Sequence, residues 1–369
     1  MTLPIPLPRI AITTGGSGGH VVPAMAAADA LLQRGYEVHF FTDARGHTFI
    51  EQRANLVVHT LRGSSPSGSP LKIARGLLEL AIGIVKAITI VLRKRPVAMI
   101  GFGSYASFSA CAAAILLRIP LFLHEQNAIL GRANEALHRF ARKVITSVPN
   151  VEGIDRVPAG KVVMAGYPIR NSIAALAALP YPKFSAATPL DILSIGGSQG
   201  AQVFGDIVPA ALQELSPEQR ARIRLTLQAK PDAVAGVRRQ LADLGVNATV
   251  DVFFTDIPDR LRTAHLLISR SGMSTVAETL AAGRPAIFVP LPHGHRLEQY
   301  KNPASVVRAG GAWLIDQKDF TPHWLAMRLK EILAGQVDLA HMADIAKSFG
   351  RPKAAEAVAT TVLEHIQAR

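Results

Sequence analysis

The sequence has almost no cysteine: Cys111 is the only one in 369 residues. A disulfide needs two thiols and a cysteine metal site needs several, so a single cysteine excludes both kinds of site. Cys111 lies in the apolar run 110–117, which predicts that it is a small residue of the hydrophobic core.

Acidic residues are also scarce, with 27 Asp and Glu against 40 Lys and Arg, for a formal net charge of +13. This excess favours anionic partners and by itself leaves nucleic acid, anionic lipid and nucleotides as open classes. The first eight residues lack both the basic region and the long apolar stretch of a signal peptide, so we expect a cytoplasmic location.

Metal-binding patterns are missing as well. The chain contains no Asp-x-Asp motif, which many sugar-nucleotide enzymes use to hold a cation on a diphosphate. His293 and His295 have no third ligand nearby, and their spacing is not a zinc pattern. We therefore expect no metal ion and no cofactor.

The most informative feature that is present is a pair of glycine-rich turns, GGSGGH at 15–20 and GGSQG at 196–200. Each follows an apolar, strand-like run and opens a helix-like one. Glycine lets backbone N–H groups crowd an anion at the positive end of a helix, so phosphate is the natural ligand. Because the chain is long enough for two full cores, the paired turns predict two nucleotide-binding domains that face one cleft.

In the first half, strand-like and helix-like segments alternate, which predicts a parallel sheet with helical crossovers. Ligands bind beyond the carboxyl ends of such strands, where His20, 103–105 and 125–127 all fall, so we expect these segments to converge. His20 suits a general base and Glu125 is a second candidate, although such residues also serve as a helix cap and as an arginine partner. The predicted strands are 9–14, 36–42, 97–102 and 121–124, and the predicted helices are 21–33, 71–92 and 104–117.

The first turn does not fit a dinucleotide fingerprint. Val21 stands where the third glycine belongs, and Asp43 matches the ribose-binding acid only loosely in spacing. A flavin or nicotinamide oxidoreductase is therefore disfavoured, and it would be recognised by an absorbing cofactor or by NADH-dependent turnover.

The helix predicted from Leu71 to Leu92 is apolar around most of its circumference. Glu79 and Lys86 interrupt it, and each charge near a bilayer centre costs roughly 2.5 to 3.5 kcal/mol on insertion scales. The core at 76–92 is barely long enough to span, and basic residues flank both ends without an orientation bias, so we exclude a membrane span and leave two alternatives. Either the helix is wholly internal, or the 71–95 region packs on the sheet and rests an exposed face on an anionic membrane surface.

The second half repeats the alternation after an Ala- and Pro-rich connection at 174–189. A small-residue turn at 270–278 leads from a strand into a helix, and its N–H groups form a second anion site. Glu278, two turns in, is either a ribose ligand or an ordinary surface acid. Gln299 and Asn302 share a helix face and suit sugar hydroxyls. The predicted strands are 190–195, 223–228, 249–254, 265–269 and 286–289, and the predicted helices are 201–215 and 353–365.

Six motifs in register resemble the MurG family of bacterial UDP-N-acetylglucosamine transferases, which convert lipid I to lipid II in peptidoglycan synthesis. They run in order along nearly the whole chain and are highly specific as a set. Ser17, Tyr167 and Met273 depart from the family, where Thr, Asn and a small residue are common. The motifs are 15–20, 124–127 (HEQN), 166–170 (GYPIR), 196–201 (GGSQGA), 270–278 (RSGMSTVAE) and 299–302 (QYKN).

The resemblance implies a GT-B fold, which is an α/β architecture of two Rossmann-like domains whose parallel sheets face a central cleft. Residues 1–168 would form the N-terminal acceptor- and membrane-binding domain, with a C-terminal helix at 350–369 packing back on it. Residues 169–349 would form the UDP-GlcNAc-binding domain.

The resemblance also implies roles for individual residues. Phe254 and the turn at 270–274 would hold uracil, and Glu278 would hold the ribose. Arg170 and Ser198 would bind the diphosphate, while Asn127 and Gln299 would bind the sugar. The first glycine turn would face the phosphates of the donor or the diphosphate of the acceptor. The implied UDP-GlcNAc set is Ser17, Gly18, Gly19, Asn127, Arg170, Ser198, Phe254, Met273, Ser274, Thr275, Val276, Ala277, Glu278 and Gln299.

The implied reaction is an inverting attack of the 4-hydroxyl of MurNAc on the anomeric carbon of GlcNAc, with His20 as first choice of base and Glu125 as second. A single-step inversion needs no enzyme nucleophile, and no nucleophile motif is recognisable.

The implied partners are UDP-GlcNAc, lipid I and an anionic membrane surface at the 71–95 region, with no nucleic acid and with room for other cell-wall synthesis proteins. The protein would be peripheral on the cytoplasmic face of the inner membrane. A UDP-sugar epimerase of the same architecture is the main alternative, and a non-enzymatic membrane scaffold is another.

Overall fold

The computed structural model describes residues 7–16, 18–50, 55–61, 69–185, 187–197, 200–293 and 295–367. The chain divides into two compact units, one made of the residues up to Arg170 and from Lys353 onward, the other of Asn171–Pro352. Each unit has its own parallel sheet and its own hydrophobic core.

The first unit is built on strands β1 (Arg9–Thr13), β2 (Glu37–Thr42), β3 (Val57–Thr60), β4 (Ala98–Gly101), β5 (Leu121–Glu125), β6 (Lys143–Thr146) and β7 (Val162–Met164). In the described part of the chain these seven strands lie in the order β3-β2-β1-β4-β5-β6-β7. The order reverses between β1 and β4, and open parallel sheets bind ligands at such a switch point. The connecting helices are α1 (Gly18–Leu32), α2 (Ala44–Ile50), α3 (Pro70–Lys94), α4 (Tyr105–Leu116) and α5 (Arg132–Leu137).

Both faces of this sheet are covered, as is usual for parallel strands. Ile10 and Ile12 of β1 lie in the core that includes α1, whereas Ala11 lies in the core on the other face, with residues of α3 and α4. Cys111 on α4 belongs to this second core and is fully buried, and burial raises the pKa of its thiol to about 12. The prediction that Cys111 is a core residue is confirmed.

The second unit has a sheet of the same kind, with strands β8 (Leu190–Ile195), β9 (Ile223–Gln228), β10 (Asn247–Asp251), β11 (Leu266–Ser269), β12 (Ala286–Phe288) and β13 (Ala312–Leu314). Among the residues described, these six strands lie in the order β10-β9-β8-β11-β12-β13, which reverses between β8 and β11. Its helices are α6 (Asn171–Ala174), α7 (Gln202–Gln213), α8 (Pro217–Ala221), α9 (Val234–Asp243), α10 (Ile257–Thr263), α11 (Met273–Ala281), α12 (Glu298–Lys301), α13 (Ala304–Arg308), α14 (Pro322–Leu333) and α15 (Leu339–Phe349).

The last helix, α16 (Ala354–Gln367), belongs to the first unit. Its residues Val358 and Val362 are fully buried in the core that also contains α1. Arg34, just after α1, donates to the carbonyl of Glu356 at 3.2 Å and to the hydroxyl of Thr360 at 2.8 Å. The C-terminal segment therefore completes the face of the sheet that α1 covers.

Two boundaries differ from the predictions in a way that matters for the site. Helix α1 begins at Gly18 rather than Val21, so His20 lies in its first turn. Strand β10 ends at Asp251, whereas the apolar run predicted a strand from 249 to 254. Where the strand ends, the side chain of Asp251 accepts a hydrogen bond from the N–H of Val252 at 2.7 Å.

Helix α3 has two different faces. Ala87 and Val91 are buried in the core, while an apolar stripe on the other side of the helix is exposed. Residues at 71, 78, 85 and 92 are spaced by two helical turns, so they line up along one side. The alternative of a wholly internal helix is therefore wrong, and no helix that the structure describes is long and apolar enough to cross a membrane. The exposed stripe comprises Leu71 (81%), Leu78 (62%), Ile82 (44%), Val85 (64%) and Leu92 (55%).

Candidate active site

The ends of β1, β4 and β5 bring three loops together in the first unit. A Cβ built on Gly103 would lie 3.3 Å from Oε1 of Gln126 and 3.4 Å from Cε1 of His20. A Cβ built on Gly15 would lie 1.8 Å from Oγ of Ser104, so the first glycine turn fits here only because it lacks a side chain. The predicted convergence of these strand ends is what the structure shows.

His20 is held by a chain of hydrogen bonds that fixes the position of its proton. Its Nδ1 lies 3.2 Å from Oε1 of Gln126. The Gln126 Nε2 donates to the carbonyl of His124 at 3.1 Å and also faces His124 Nδ1 at 3.4 Å, while His124 Nε2 donates to the carbonyl of Gly166 at 3.0 Å. Because carbonyl oxygens only accept, Gln126 must present its own oxygen to His20. His20 Nδ1 therefore carries the proton, and its Nε2 keeps the lone pair that a general base needs.

The surroundings keep both imidazoles neutral near pH 7. Burial lowers the pKa of His20 below its ordinary value of 6.5 and outweighs the hydrogen bonds to Gln126 and the Phe102 backbone, which raise it. Burial also lowers the pKa of His124 to about 4. The His124 ring stacks on Phe102 with ring centroids 5.0 Å apart. A neutral His124 keeps the hydrogen-bond chain in one arrangement.

Glu125, the second predicted base, is buried and fully engaged. One carboxylate oxygen accepts from the N–H of Asn127 at 3.1 Å, and the other accepts from the N–H of Gly131 and the amide of Asn134, both at 2.8 Å. Burial raises the pKa of Glu125, while these hydrogen bonds lower it, and burial is the larger effect. The carboxyl group thus shapes the loop that carries Asn127, and the geometry favours His20 as the base.

The second glycine turn follows β8 and is fastened by one side chain. Gln228 at the end of β9 accepts from the N–H of Gly196 at 2.9 Å and donates to the carbonyl of Gly197 at 3.1 Å. A Cβ on Gly196 would lie 2.1 Å from the backbone nitrogen of Ala201, so only glycine fits there. The turn leads directly into α7.

The end of β11 leads into the second anion site predicted in this unit. Helix α11 begins at Met273, and its first helical hydrogen bond runs from the N–H of Val276 to the carbonyl of Gly272 at 3.0 Å. The N–H groups at 273–275 therefore have no acceptor within the helix and point toward its open end. Asn302 fixes the preceding turn by donating to the carbonyl of Ser271 at 3.1 Å.

Comparison with known proteins identifies the family to which this chain belongs. The glycosyltransferase family 28 N-terminal domain matches residues 10–146, and the family's C-terminal domain matches residues 192–358. UDP-N-acetylglucosamine--N-acetylmuramyl-(pentapeptide) pyrophosphoryl-undecaprenol N-acetylglucosamine transferase of Rhodospirillum centenum is 44% identical over 354 residues, 96% of this chain and 93% of its own. The chain belongs to the MurG family. The protein of the same name from Paramagnetospirillum magneticum is 42% identical over 357 residues, 96% of each chain.

Solved structures agree with this membership. MurG of Acinetobacter baumannii is 27% identical, with a TM-score of 0.77 over 98% of this chain and 100% of that chain. UDP-GlcNAc 2-epimerase of Neisseria meningitidis, solved bound to UDP-GlcNAc, reaches a TM-score of 0.66 over 96% of this chain and 100% of that chain. Its identity is only 14%, so this likeness shows the fold alone. The predicted GT-B fold and the predicted MurG membership are confirmed.

Of the residues predicted from the MurG motifs, Ser17 and Ser198 lie outside the described residues. Gly18 and Gly19 form the start of α1 beside His20. In α11, the side chains of Met273 and Val276 are buried. Ser274, Thr275 and Ala277 are half-buried on the same helix.

The remaining predicted MurG residues differ in accessibility. Arg170 is exposed, Asn127 is half-buried and Glu278 is 8% exposed. The Gln299 Oε1 accepts from the N–H of Leu291 at 3.0 Å, so its amide NH2 is the end that suits a sugar hydroxyl.

The two phenylalanines after β10 differ in exposure. Phe254 is 7% exposed, and the guanidinium of Arg260 lies 4.3 Å from its ring centroid. Phe253 is 62% exposed and offers the open aromatic face. The two adjacent rings therefore differ, one packed and one open. The position at which β10 ends determines which of the two is packed.

The contacts that hold the motifs in place were not predicted, although Gln126 and Arg270 themselves lie within the named motifs. Gln126 and Gln228 are amides that lie far along the chain from the turns they fasten. Arg270 donates to the carbonyls of Val289 and Pro290 at 3.1 and 3.0 Å and to Gln317, which ties the end of β11 to the loop after β12. Glutamine at a strand end next to a glycine turn is the signal that could have found the first two.

In the part of the chain that the structure describes, no group of three or more His, Cys, Asp or Glu side chains is arranged to hold a metal ion. His293 is exposed on the loop after β12. The anion sites described above are built from N–H groups instead.

Proposed function

We propose that this protein transfers GlcNAc from UDP-GlcNAc to the 4-hydroxyl of MurNAc in undecaprenyl-pyrophosphoryl-MurNAc-pentapeptide (lipid I), with inversion, to form lipid II. The observation that carries the proposal is the 44% identity, across both domains, to a transferase named for this activity. The epimerase alternative rests on a fold likeness at 14% identity, which carries no activity.

His20 is the general base of this proposal. Its bare Nε2 accepts the proton of the acceptor hydroxyl as the hydroxyl oxygen attacks the anomeric carbon. The imidazolium that forms is stabilised by Gln126, whose oxygen accepts from Nδ1–H. Glu125 supports the reaction indirectly, by holding the loop that carries Asn127.

The leaving UDP gains negative charge as the glycosidic bond breaks. We assign its stabilisation to the N–H groups of the second glycine turn and of residues 273–275, together with Arg170 and Ser198. Such fixed dipoles favour the transition state over the ground state because they are already oriented before the charge develops. This division assigns the donor to residues 169–349 and the acceptor to residues 1–168.

The rest of the donor is assigned by motif. Phe254 and the turn at 270–274 bind uracil, Glu278 binds the ribose, and Asn127 and Gln299 bind the sugar hydroxyls. The first glycine turn, at 17–19, binds the diphosphate of the donor or of the acceptor. The exposed ring of Phe253 supports a contact with the base at this loop.

A transfer assay tests the function directly. Protein is incubated with UDP-[14C]GlcNAc and lipid I in detergent micelles, and the label is followed into the lipid fraction. We expect label in the lipid only when lipid I is present. Conversion of the UDP-sugar without lipid I would favour an epimerase, and untouched UDP-GlcNAc would overturn the assignment.

We assign the membrane-binding surface of the protein to α3. The protein then binds to the cytoplasmic face of the inner membrane. Its exposed apolar stripe is accompanied by the exposed cations Lys72, Arg75, Arg93 and Arg95, which suit an anionic lipid surface. Further contacts with other cell-wall synthesis proteins belong to the same proposal.

Vesicle sedimentation tests this surface. We expect the double substitution of Leu78→Glu and Val85→Glu to release the protein from phosphatidylglycerol vesicles. Met327→Glu alters a residue of α14 that is 44% exposed and is the matched control. Equal binding by all variants would contradict the assignment.

A further inference from the structure

Helix α1 contains a proline close to its start, at Pro23. In an α-helix the carbonyl of residue i accepts from the N–H of residue i+4, and proline has no N–H. The carbonyl of Gly19, directly before His20, therefore has no helical donor. The ring of a proline also crowds the carbonyl four residues earlier and tilts it away from the helix axis.

Tyr167 supplies the missing donor. Its hydroxyl donates to the carbonyl of Gly19 at 2.9 Å. Tyr167 follows β7, 148 positions further along the chain, and is 2% exposed, so its ring is fixed by packing. A phenol hydroxyl held this way satisfies a carbonyl that would otherwise be left without its usual partner.

The contact closes a ring of hydrogen bonds around His20. One side of the ring runs from the imidazole of His20 through Gln126 and His124 to the carbonyl of Gly166. The other side runs from the next residue, Tyr167, to the carbonyl before His20. The imidazole and the backbone of His20 are thus fastened to the same dipeptide, 166–167.

We propose that Tyr167 is a positioning residue for His20: its hydroxyl replaces the donor that Pro23 removes and so fixes the first turn of α1. Tyr167 acts through Gly19 and touches no reacting atom in this proposal. The proposal deepens the assignment of His20 as base and rests on it for the effect on turnover. The replacement of the missing Pro23 N–H by the Tyr167 hydroxyl does not itself depend on the activity.

A double-mutant cycle tests the exchange. Tyr167→Phe removes only the hydroxyl, and we expect kcat to fall about fivefold with little change in the KM for UDP-GlcNAc. Pro23→Ala restores an N–H that can donate to the Gly19 carbonyl. In the Pro23→Ala background we therefore expect Tyr167→Phe to change kcat by less than about twofold.

The same cycle is read by thermal unfolding, which does not depend on transfer. Tyr167→Phe should lower the Tm more in the wild-type background than in the Pro23→Ala background. Failure of the transferase assay would remove the assigned activity but would leave this coupling measurable. Equal effects of Tyr167→Phe in both backgrounds, on Tm and on kcat, would overturn the proposal.

Tyr181 offers a matched control. Its hydroxyl donates to the carbonyl of His265 at 2.8 Å in the second unit. Tyr181→Phe deletes the same kind of hydrogen bond, but no proline lies four residues after His265. We expect Tyr181→Phe to lower the Tm equally with and without the Pro23→Ala substitution. If the two backgrounds differed as much for Tyr181→Phe as for Tyr167→Phe, the coupling between Tyr167 and Pro23 would not be specific.

Discussion

The two glycine turns begin from similar sequences, yet the structure fastens them in different ways. The first is crowded by Ser104 and leads into His20, whose ring nitrogen and preceding carbonyl are both held by residues more than 100 positions away. The second is clamped by the amide of Gln228 and leads into the first turn of α7, where Gln202, Val203 and Phe204 have no titratable side chain. A turn that positions an ionisable group needs support for a side chain, whereas a turn that offers N–H groups needs support for its backbone.

Under the proposed function, this contrast separates the residues of the chemical step from those of donor binding. In the first unit, burial and a directed hydrogen-bond chain set the protonation state of one imidazole. In the second unit, the proposed anion sites rest mainly on backbone N–H groups, at the turn that Gln228 clamps and at the start of α11. Substitutions in the two turns should therefore affect different kinetic constants.

The largest effect is expected at His20. His20→Ala removes the proton acceptor, so we expect kcat to fall by about 100-fold or more while the Kd for UDP-GlcNAc is retained. Steady-state kinetics and calorimetry measure the two quantities. His323→Ala, at an exposed histidine that pairs with Glu214, is the control and should keep wild-type kcat. Wild-type turnover in His20→Ala would remove the contrast between the turns.

Matched alanine substitutions in the two turns should have the next largest effects. At Gly196 the new Cβ meets backbone atoms of Gly200 and Ala201, so we expect Gly196→Ala to raise the KM for UDP-GlcNAc about tenfold or more and to lower the Tm. At Gly15 the new Cβ meets the side chain of Ser104.

A second substitution, at Ser104, should therefore relieve the crowding that Gly15→Ala introduces. Ser104 has a φ of 73°, which suits glycine, so Ser104→Gly should recover most of the activity that Gly15→Ala loses. Activity and Tm of the single and double variants measure the rescue. A double variant as impaired as Gly15→Ala alone would contradict the assigned contact.

The smallest effect is a shift in pH dependence. In the proposed mechanism activity requires neutral His20, and burial lowers its pKa below 6.5, so we expect the acid limb of the kcat profile to lie below pH 6.5. Gln126→Glu puts a carboxylate beside Nδ1, which favours the protonated imidazole and should move this limb to higher pH. Gln228→Glu makes the same change in the second turn and should leave the limb where it is. An unshifted limb in Gln126→Glu would show that another group controls it.

Much of this could be predicted from local sequence. Strands β8 and β9 have the predicted bounds, because apolar runs between turn residues leave few alternatives. The end of β10 could not be predicted, because Val252 and Phe253 have the composition of a strand although β10 ends at Asp251. Short strands such as β3 and β7 were also not predicted, because their few residues carry no periodicity of their own.

The sequence by itself determined that each half contains a strand followed by a glycine turn, that His20 follows the first turn, and that the motifs are those of the MurG family. Those features depend on residues adjacent in the chain, where backbone preferences act directly. Only the tertiary structure decided that Nδ1 of His20 carries the proton, that Gln228 clamps the second turn and that α3 exposes an apolar stripe. Each of these depends on partners brought together by packing, and spacing in the chain does not encode which distant side chains will meet.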